Sequence, residues 1–178
     1  MRDRDVIGFG VLAVLLMGYK RIPWGGGWWW PVPEVIMSGA SYLPQVTNGP
    51  TAAHAGSDIM FRTKAGTYFA PVGTPITAAR AGKVWSVSKT ARGWGVVLDH
   101  GRPFATFYQH LASVTALVKG MPVAAGQPLG TMGYDPLDAS RVRHLHFSVW
   151  FDGFGDAASV DPTGVIGSWL RPGAWKAP

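Results

Sequence analysis

The 178-residue chain contains no cysteine. Cys-ligated zinc, a thiol nucleophile and a disulfide framework are therefore excluded, and any metal must be held by histidine and carboxylate. Charge is also scarce, with Asp, Glu, Lys and Arg making up 15% of residues. The formal net charge of +6 is spread along the chain and not gathered into Lys/Arg blocks. Such a balance favours an anionic partner: a cell-wall polymer, a lipid headgroup or a nucleic acid. No nucleic-acid-binding motif accompanies it, so nucleic acid is not expected. Beyond residue 20 the sequence has no helical period of useful length, apart from a weak one over 112–119, and no internal repeat.

What is present suits one ordinary domain with an N-terminal appendage. The hydrophobic fraction of 47% is enough to build a core. Val6 to Tyr19 is a run of fourteen uncharged, mostly apolar residues, preceded by Arg2 and Arg4 and followed by Lys20-Arg21. That length suits a hydrophobic helix serving as a signal-peptide core or a short anchor, since a full span needs about 20 residues. No small-x-small cleavage site follows the run closely; Ser38-Gly39-Ala40 has the right residues but lies far downstream, which favours an uncleaved anchor. Basic residues on both sides leave the orientation open. The expected organisation is an anchor or signal segment at 1–21, a Trp/Gly/Pro-rich linker at 22–50, a folded domain at 51–167 and a tail at 168–178. Trp24, Trp28, Trp29 and Trp30 in the linker suit either a bilayer headgroup region or packing on the following domain.

From Thr51 onward, short apolar runs alternate with Gly, Pro and Asp. Residues 74–79, 83–88, 95–98, 104–111 and 145–151 are rich in β-branched and aromatic side chains and bounded by turn formers, which predicts strands. An all-β, mainly antiparallel domain follows. Alternation at 83–88 is imperfect, so the buried face of that strand is left open.

Four of the five histidines stand in a pattern that structural need alone would rarely produce. His54 precedes Asp58 by four residues, His144 and His146 flank Leu145, and His110 follows Phe107-Tyr108-Gln109. On a strand His144 and His146 share one face, with Leu145 and Phe147 turned to the core. His54 and Asp58 can converge from a loop or a strand. Two histidines and an aspartate leave a zinc ion one open coordination position.

These blocks resemble the lysostaphin-type, or LytM-like, zinc endopeptidases that cut peptides in bacterial peptidoglycan. The likeness runs from His54-Ala55-Gly56-Ser57-Asp58, through Gly73-Thr74-Pro75-Ile76 and Ala79-Arg80-Ala81-Gly82-Lys83-Val84, to Gly93-Trp94-Gly95-Val96-Val97-Leu98-Asp99-His100-Gly101. It continues through Phe107-Tyr108-Gln109-His110-Leu111, Val118-Lys119-Gly120-Met121-Pro122-Val123, Gly126-Gln127-Pro128-Leu129-Gly130 and His144-Leu145-His146-Phe147. The resemblance implies one zinc ion held by His54, Asp58 and His146, with His110 and His144 as catalytic histidines assisting proton transfer and oxyanion stabilisation. It implies a lysostaphin/LytM-type fold and peptidoglycan as partner. With a membrane contact through the N-terminal segment, the enzyme would face the cell wall, be secreted if cleaved, or belong to a phage particle. His100 is expected to serve a turn and Tyr108 the core.

Three departures stand out, the first being Thr51-Ala52-Ala53 where the family usually has an arginine or similar polar residue before the first histidine. Residues 59–72 are longer than the family's usual link, as if a hairpin were inserted, so that Arg62, Lys64, Tyr68 and Phe69 either meet substrate or cap the sheet. Residues 133–143 carry Tyr134, Asp135 and Asp138 where small residues are usual. The competing reading is a catalytically silent wall-binding or hydrolase-activating module. A zinc D,D-carboxypeptidase is disfavoured, because the residues before the histidine pair are Ser140-Arg141-Val142-Arg143, with no carboxylate base.

Overall fold

A computed structural model describes residues 18–161, except 21, 22, 26, 38, 39, 50, 52, 64 and 65. The expected N-terminal helix lies outside the described residues for positions 1–17. At its far end Gly18–Lys20 forms a strand instead, paired with Glu34–Ile36. Among the described residues the one helical element is a 3-10 turn at Asp156–Ala158, and no helix is long and apolar enough to cross a membrane.

The N-terminal segment folds as β1 (Gly18–Lys20), β2 (Pro23–Gly25), β3 (Trp28–Trp29), β4 (Glu34–Met37) and β5 (Ala40–Tyr42). Glycine and proline limit these strands to two to four residues without abolishing them. Then come β6 (Pro44–Asn48), β7 (Ser57–Arg62), β8 (Tyr68–Phe69), β9 (Pro75–Thr77), β10 (Gly82–Thr90) and β11 (Gly93–Asp99). The domain closes with β12 (Phe104–Val114), β13 (Pro122–Val123), β14 (Pro128–Met132), β15 (Leu145–Phe151) and β16 (Ser159–Val160). The main sheet runs β13-β10-β11-β12-β15-β7-β6, with β14 joined to β12 and β9. Its pairings are antiparallel, so the all-β expectation holds. The weak helical period at 112–119 is overridden: Ser113 and Val114 continue β12 and pair with Thr131 and Gly130.

A bulge explains the imperfect alternation of β10. The register shifts between Val84 and Ser86, so Val84 is buried while Val87, three positions on, also packs on the core. Trp85, next to Val84, is turned outward as alternation requires and is 43% exposed. The β7–β8 hairpin is the expected insertion, and its Phe69 packs on Tyr42 and Phe61. Arg62, Tyr68 and Phe69 cap the sheet and do not line the cleft; Lys64 lies outside the described residues.

The segment before β4 belongs to the core. Trp28, Trp30, Val32 and Val35 are buried with Ile76, Leu98, Tyr108 and Phe147. Trp28 meets Phe104 and His100 edge-on, with the Arg80 guanidinium 5.2 Å from its ring. Trp29 N–H donates to Ala79 O and Thr77 N–H to Pro31 O. Trp28 and Trp30 therefore pack on the domain. We expect Trp28→Ala to cost about 3–5 kcal/mol in chemical denaturation; a loss under about 1 kcal/mol would show that this packing contributes little.

A polar relay crosses that core. Ala81 O can only accept, so His100 Nδ1 carries the proton (2.9 Å) and Nε2 accepts from Thr106 Oγ1 (2.7 Å). Thr106 Oγ1 is hydrogen-bonded in turn to Tyr108 Oη, which accepts from Ala79 N–H. Burial, aided by the Arg80 charge, holds His100 below its ordinary pKa, against the Ala81 hydrogen bond and Asp99, which pull it up. The unfolded chain protonates this ring near pH 6.5 while the folded chain resists. Stability from this group is thus full above about pH 6.5 and declines as the pH falls below it. Denaturation series at several pH values should show that slope, and His100→Asn should flatten it; an unchanged slope would assign the acid sensitivity elsewhere.

Candidate metal centre and cleft

Asp58 on β7 lies directly opposite His146 on β15, and His146 opposite Gln109 on β12. Cross-strand partners point the same way, so the three form a row on one face of the sheet. Leu145 and Phe147 point to the other face and are buried in the core, as alternation requires. His54 enters from the loop before β7, where it forms an isolated bridge with Thr51.

His54 Nε2 lies 3.2 Å from Asp58 Oδ1 and 3.0 Å from His146 Nδ1, and His146 Nδ1 lies 3.3 Å from Asp58 Oδ1. A tetrahedral zinc ion with bonds of about 2.0–2.1 Å spaces its ligand atoms about 3.3 Å apart. The outer bonds of the rings agree. His54 Nδ1 faces Gly49 O at 3.1 Å and must donate to it, leaving a lone pair on Nε2. His146 Nε2 faces Ser148 Oγ at 3.4 Å, whose own proton goes to Ala55 O at 2.6 Å. That arrangement gives His146 Nδ1 the lone pair. Three lone pairs then meet at one point, which a cation relieves. Burial alone would raise the Asp58 carboxyl, but the close approach of the His146 ring, with His144 and His54 beside it, outweighs this and holds the pKa low. The donor set therefore fits zinc.

Gly56 is what lets His146 approach. A methyl group there would stand 2.6 Å from both His146 Nε2 and Ser148 Oγ.

His110 and His144 form the second pair, with ring centroids 4.8 Å apart. His144 Nδ1 donates to Val142 O at 2.9 Å, and Nε2 lies 3.8 Å from Asp58 Oδ1. His110 follows Gln109 directly, so simple alternation would send it to the core. A bulge prevents this: Trp94 pairs with Leu111 but Val96 with Tyr108, and His110 takes φ of 64°, in the left-handed region. Gly133 holds the distortion. Its N–H donates to His110 O (2.8 Å), its carbonyl accepts from His144 N–H (3.1 Å), and a side chain there would collide with the His110 carbonyl. His110 Nδ1 donates to Arg92 O at 2.8 Å. Burial lowers its pKa, as do the neighbouring histidines, against the Arg92 hydrogen bond and Asp135.

The cleft has a volume of about 480 Å³, and all four of these histidines line it. The 133–143 loop does shape its wall: Asp135 and Asp138 face it, and Asp135 is ion-paired with Arg92. Gln109 and Arg92 also line the cleft, a role sequence reasoning missed. The cue for Gln109 is strand parity with Phe107; nothing local marks Arg92. His100 stands apart, in the relay of the core.

The Peptidase family M23 model matches residues 62–162, more than half of the chain. The chain belongs to this family. His110, His144 and His146 fall inside the match, while His54 and Asp58 precede it. Among curated relatives, the uncharacterized lipoprotein YgeR of Escherichia coli (strain K12) is 43% identical over 96 residues, 52% of this chain and 35% of that protein. Peptidoglycan DD-endopeptidase ShyC of Vibrio cholerae is 38% identical over 109 residues, 59% of this chain and 22% of that protein. The M23 chain thus spans about a third or less of the length of these relatives. Among solved structures, lysostaphin of Staphylococcus simulans superposes with a TM-score of 0.56 at 26% identity, covering 77% of this chain and 53% of that one. A putative peptidase M23 of Pseudomonas aeruginosa gives 0.52 at 27% identity, covering 71% and 49%. The fold is that of the LytM-like peptidases.

Gly56→Ala should weaken zinc affinity by about 10–100-fold in a chelator-competition titration, by displacing His146 and its Ser148 partner. Unchanged affinity would show that this close approach is not required.

Proposed function

We propose that this M23 domain is a zinc-dependent endopeptidase that hydrolyses peptide cross-links or stems of bacterial peptidoglycan. The observation that carries the reading is the convergence of three lone-pair atoms at 3.0 to 3.3 Å beside a second histidine pair. The relatives support the substrate class, one being a peptidoglycan DD-endopeptidase and another the antimicrobial peptidase lysostaphin.

His54, Asp58 and His146 would hold the zinc ion, which when bound supplies Lewis acidity at the scissile carbonyl and eases ionisation of water at neutral pH. His110 is the proton acceptor. Its Nδ1–H is committed to Arg92 O, so Nε2 offers a lone pair to the cleft, and burial keeps the ring neutral. His144, held by its hydrogen bond to Val142 O, would steady the charge that builds on the carbonyl oxygen. Gln109, beside His146 in the register, is placed to orient the peptide by its amide. The silent-module alternative finds no support in this constellation, because neither the ligand set nor the assisting pair is depleted.

We further propose that the apolar run ahead of β1 anchors the domain on the wall-facing side of a membrane; one relative is a lipoprotein.

Digestion of purified peptidoglycan by the full chain, with mass analysis of the new termini, tests the reading. Cleavage should stop with a zinc chelator, return on adding zinc, and be absent in His146→Ala. Release of new peptide termini that persists with chelator or in that variant would refute the metal mechanism.

A further inference from the structure

A line of aromatic rings leads out of the cleft across the outer face of the main sheet. Phe107 lines the cleft with its ring 6.5 Å from that of His146. It stacks on Trp150 at 5.4 Å, Trp150 meets Phe154 edge-on at 6.2 Å, and Phe154 stacks on Trp85 at 4.5 Å. The Lys119 ammonium stands 4.9 Å from the Trp85 ring. Exposure rises along the line, from 6% at Trp150 to 46% at Phe154 and 43% at Trp85. Burying such side chains fully would be favourable, and this fold forgoes part of that gain. Exposed aromatic surface continuous with a cleft marks a place where a ligand rests.

The chemistry selects the ligand. Trp85 and Trp150 project from the face of the sheet and Phe154 from the loop after β15, so they offer side-chain stacking without a backbone ladder. A pyranose sugar presents an apolar C–H face that packs on aromatic rings and a hydroxyl rim that accepts from an ammonium. Beside Phe154 lies a recess of about 150 Å³, lined by Pro103 and Phe104 and by the exposed Arg102–Asp152 pair, 3.3 Å apart. Half-apolar and half-charged, it suits an acetamido group.

We infer that Trp85, Phe154 and Lys119 form a subsite for the N-acetylated glycan strand of peptidoglycan, holding the sugar while its attached stem peptide enters the metal cleft. This subsite rests on the proposed function and extends it from a peptide to a glycopeptide substrate.

The test compares the full-length zinc-loaded protein with Trp85→Ala, Phe154→Ala and the milder Lys119→Ala. Each acts on cross-linked stem peptides either attached to glycan or freed of it, and binding of peptide-free glycan strands is followed by intrinsic fluorescence. The alanine variants of the two rings should lose about tenfold in kcat/KM on glycan-bearing substrate and in affinity for free strands, while cutting glycan-free peptide within about twofold of the parent. Lys119→Ala should show a smaller loss in the same direction. Equal losses on both substrates, or none on either, would overturn the subsite. If the parent cuts neither substrate yet binds strands through Trp85, the hydrolytic reading fails and the subsite stands.

Discussion

His54 Nε2, Asp58 Oδ1 and His146 Nδ1 face one another because hydrogen bonds outside the centre fix how each ring is turned. Gly49 O takes the His54 proton, and Ser148, itself held by Ala55 O, sits behind His146. The antiparallel register of β7 and β15 then sets Asp58 against His146. Lone pairs 3.0 to 3.3 Å apart repel unless a proton or a metal lies among them. The rest of the cleft is arranged around this point. Gly56 leaves room for the His146 ring, and the bulge at His110 brings a fourth imidazole to the same side of the sheet. The Gly133 backbone ties the strand carrying His110 to the loop that delivers His144.

Much of this was legible in the sequence where a simple period governs. The strand Leu145–Phe151 has the predicted bounds, and its alternation places His146 in the cleft and Phe147 in the core. Departures from period two were not legible. Val84 and Val87 both face the core, and Gln109 and His110 share a cleft, because bulges shift the register, and a bulge depends on the partner strand and not on the residue itself. The Arg92–Asp135 pair joins residues 43 positions apart and has no local signature. Propensity misled at 112–119, where pairing with β14 outweighs a weak helical period.

The N-terminal tryptophans make a related point. Composition alone allowed a membrane-surface role or a packing role, and the structure buries Trp28 and Trp30 against residues from β9 through β12. The core thus reaches well before residue 62, where the M23 match begins, as do His54 and Asp58. Stability and proposed chemistry both draw on sequence outside the most recognisable segment. The same sheet packs a core with one side and carries a partly exposed line of aromatic rings on the other.

The central claim is that two imidazoles and one carboxylate share a single zinc ion. A crystal structure of the zinc-loaded protein, with anomalous data at the zinc edge, addresses it directly. The account predicts one anomalous peak about 2.0–2.2 Å from His54 Nε2, Asp58 Oδ1 and His146 Nδ1. A peak on other residues, or coordination through the opposite nitrogen of either ring, would contradict it.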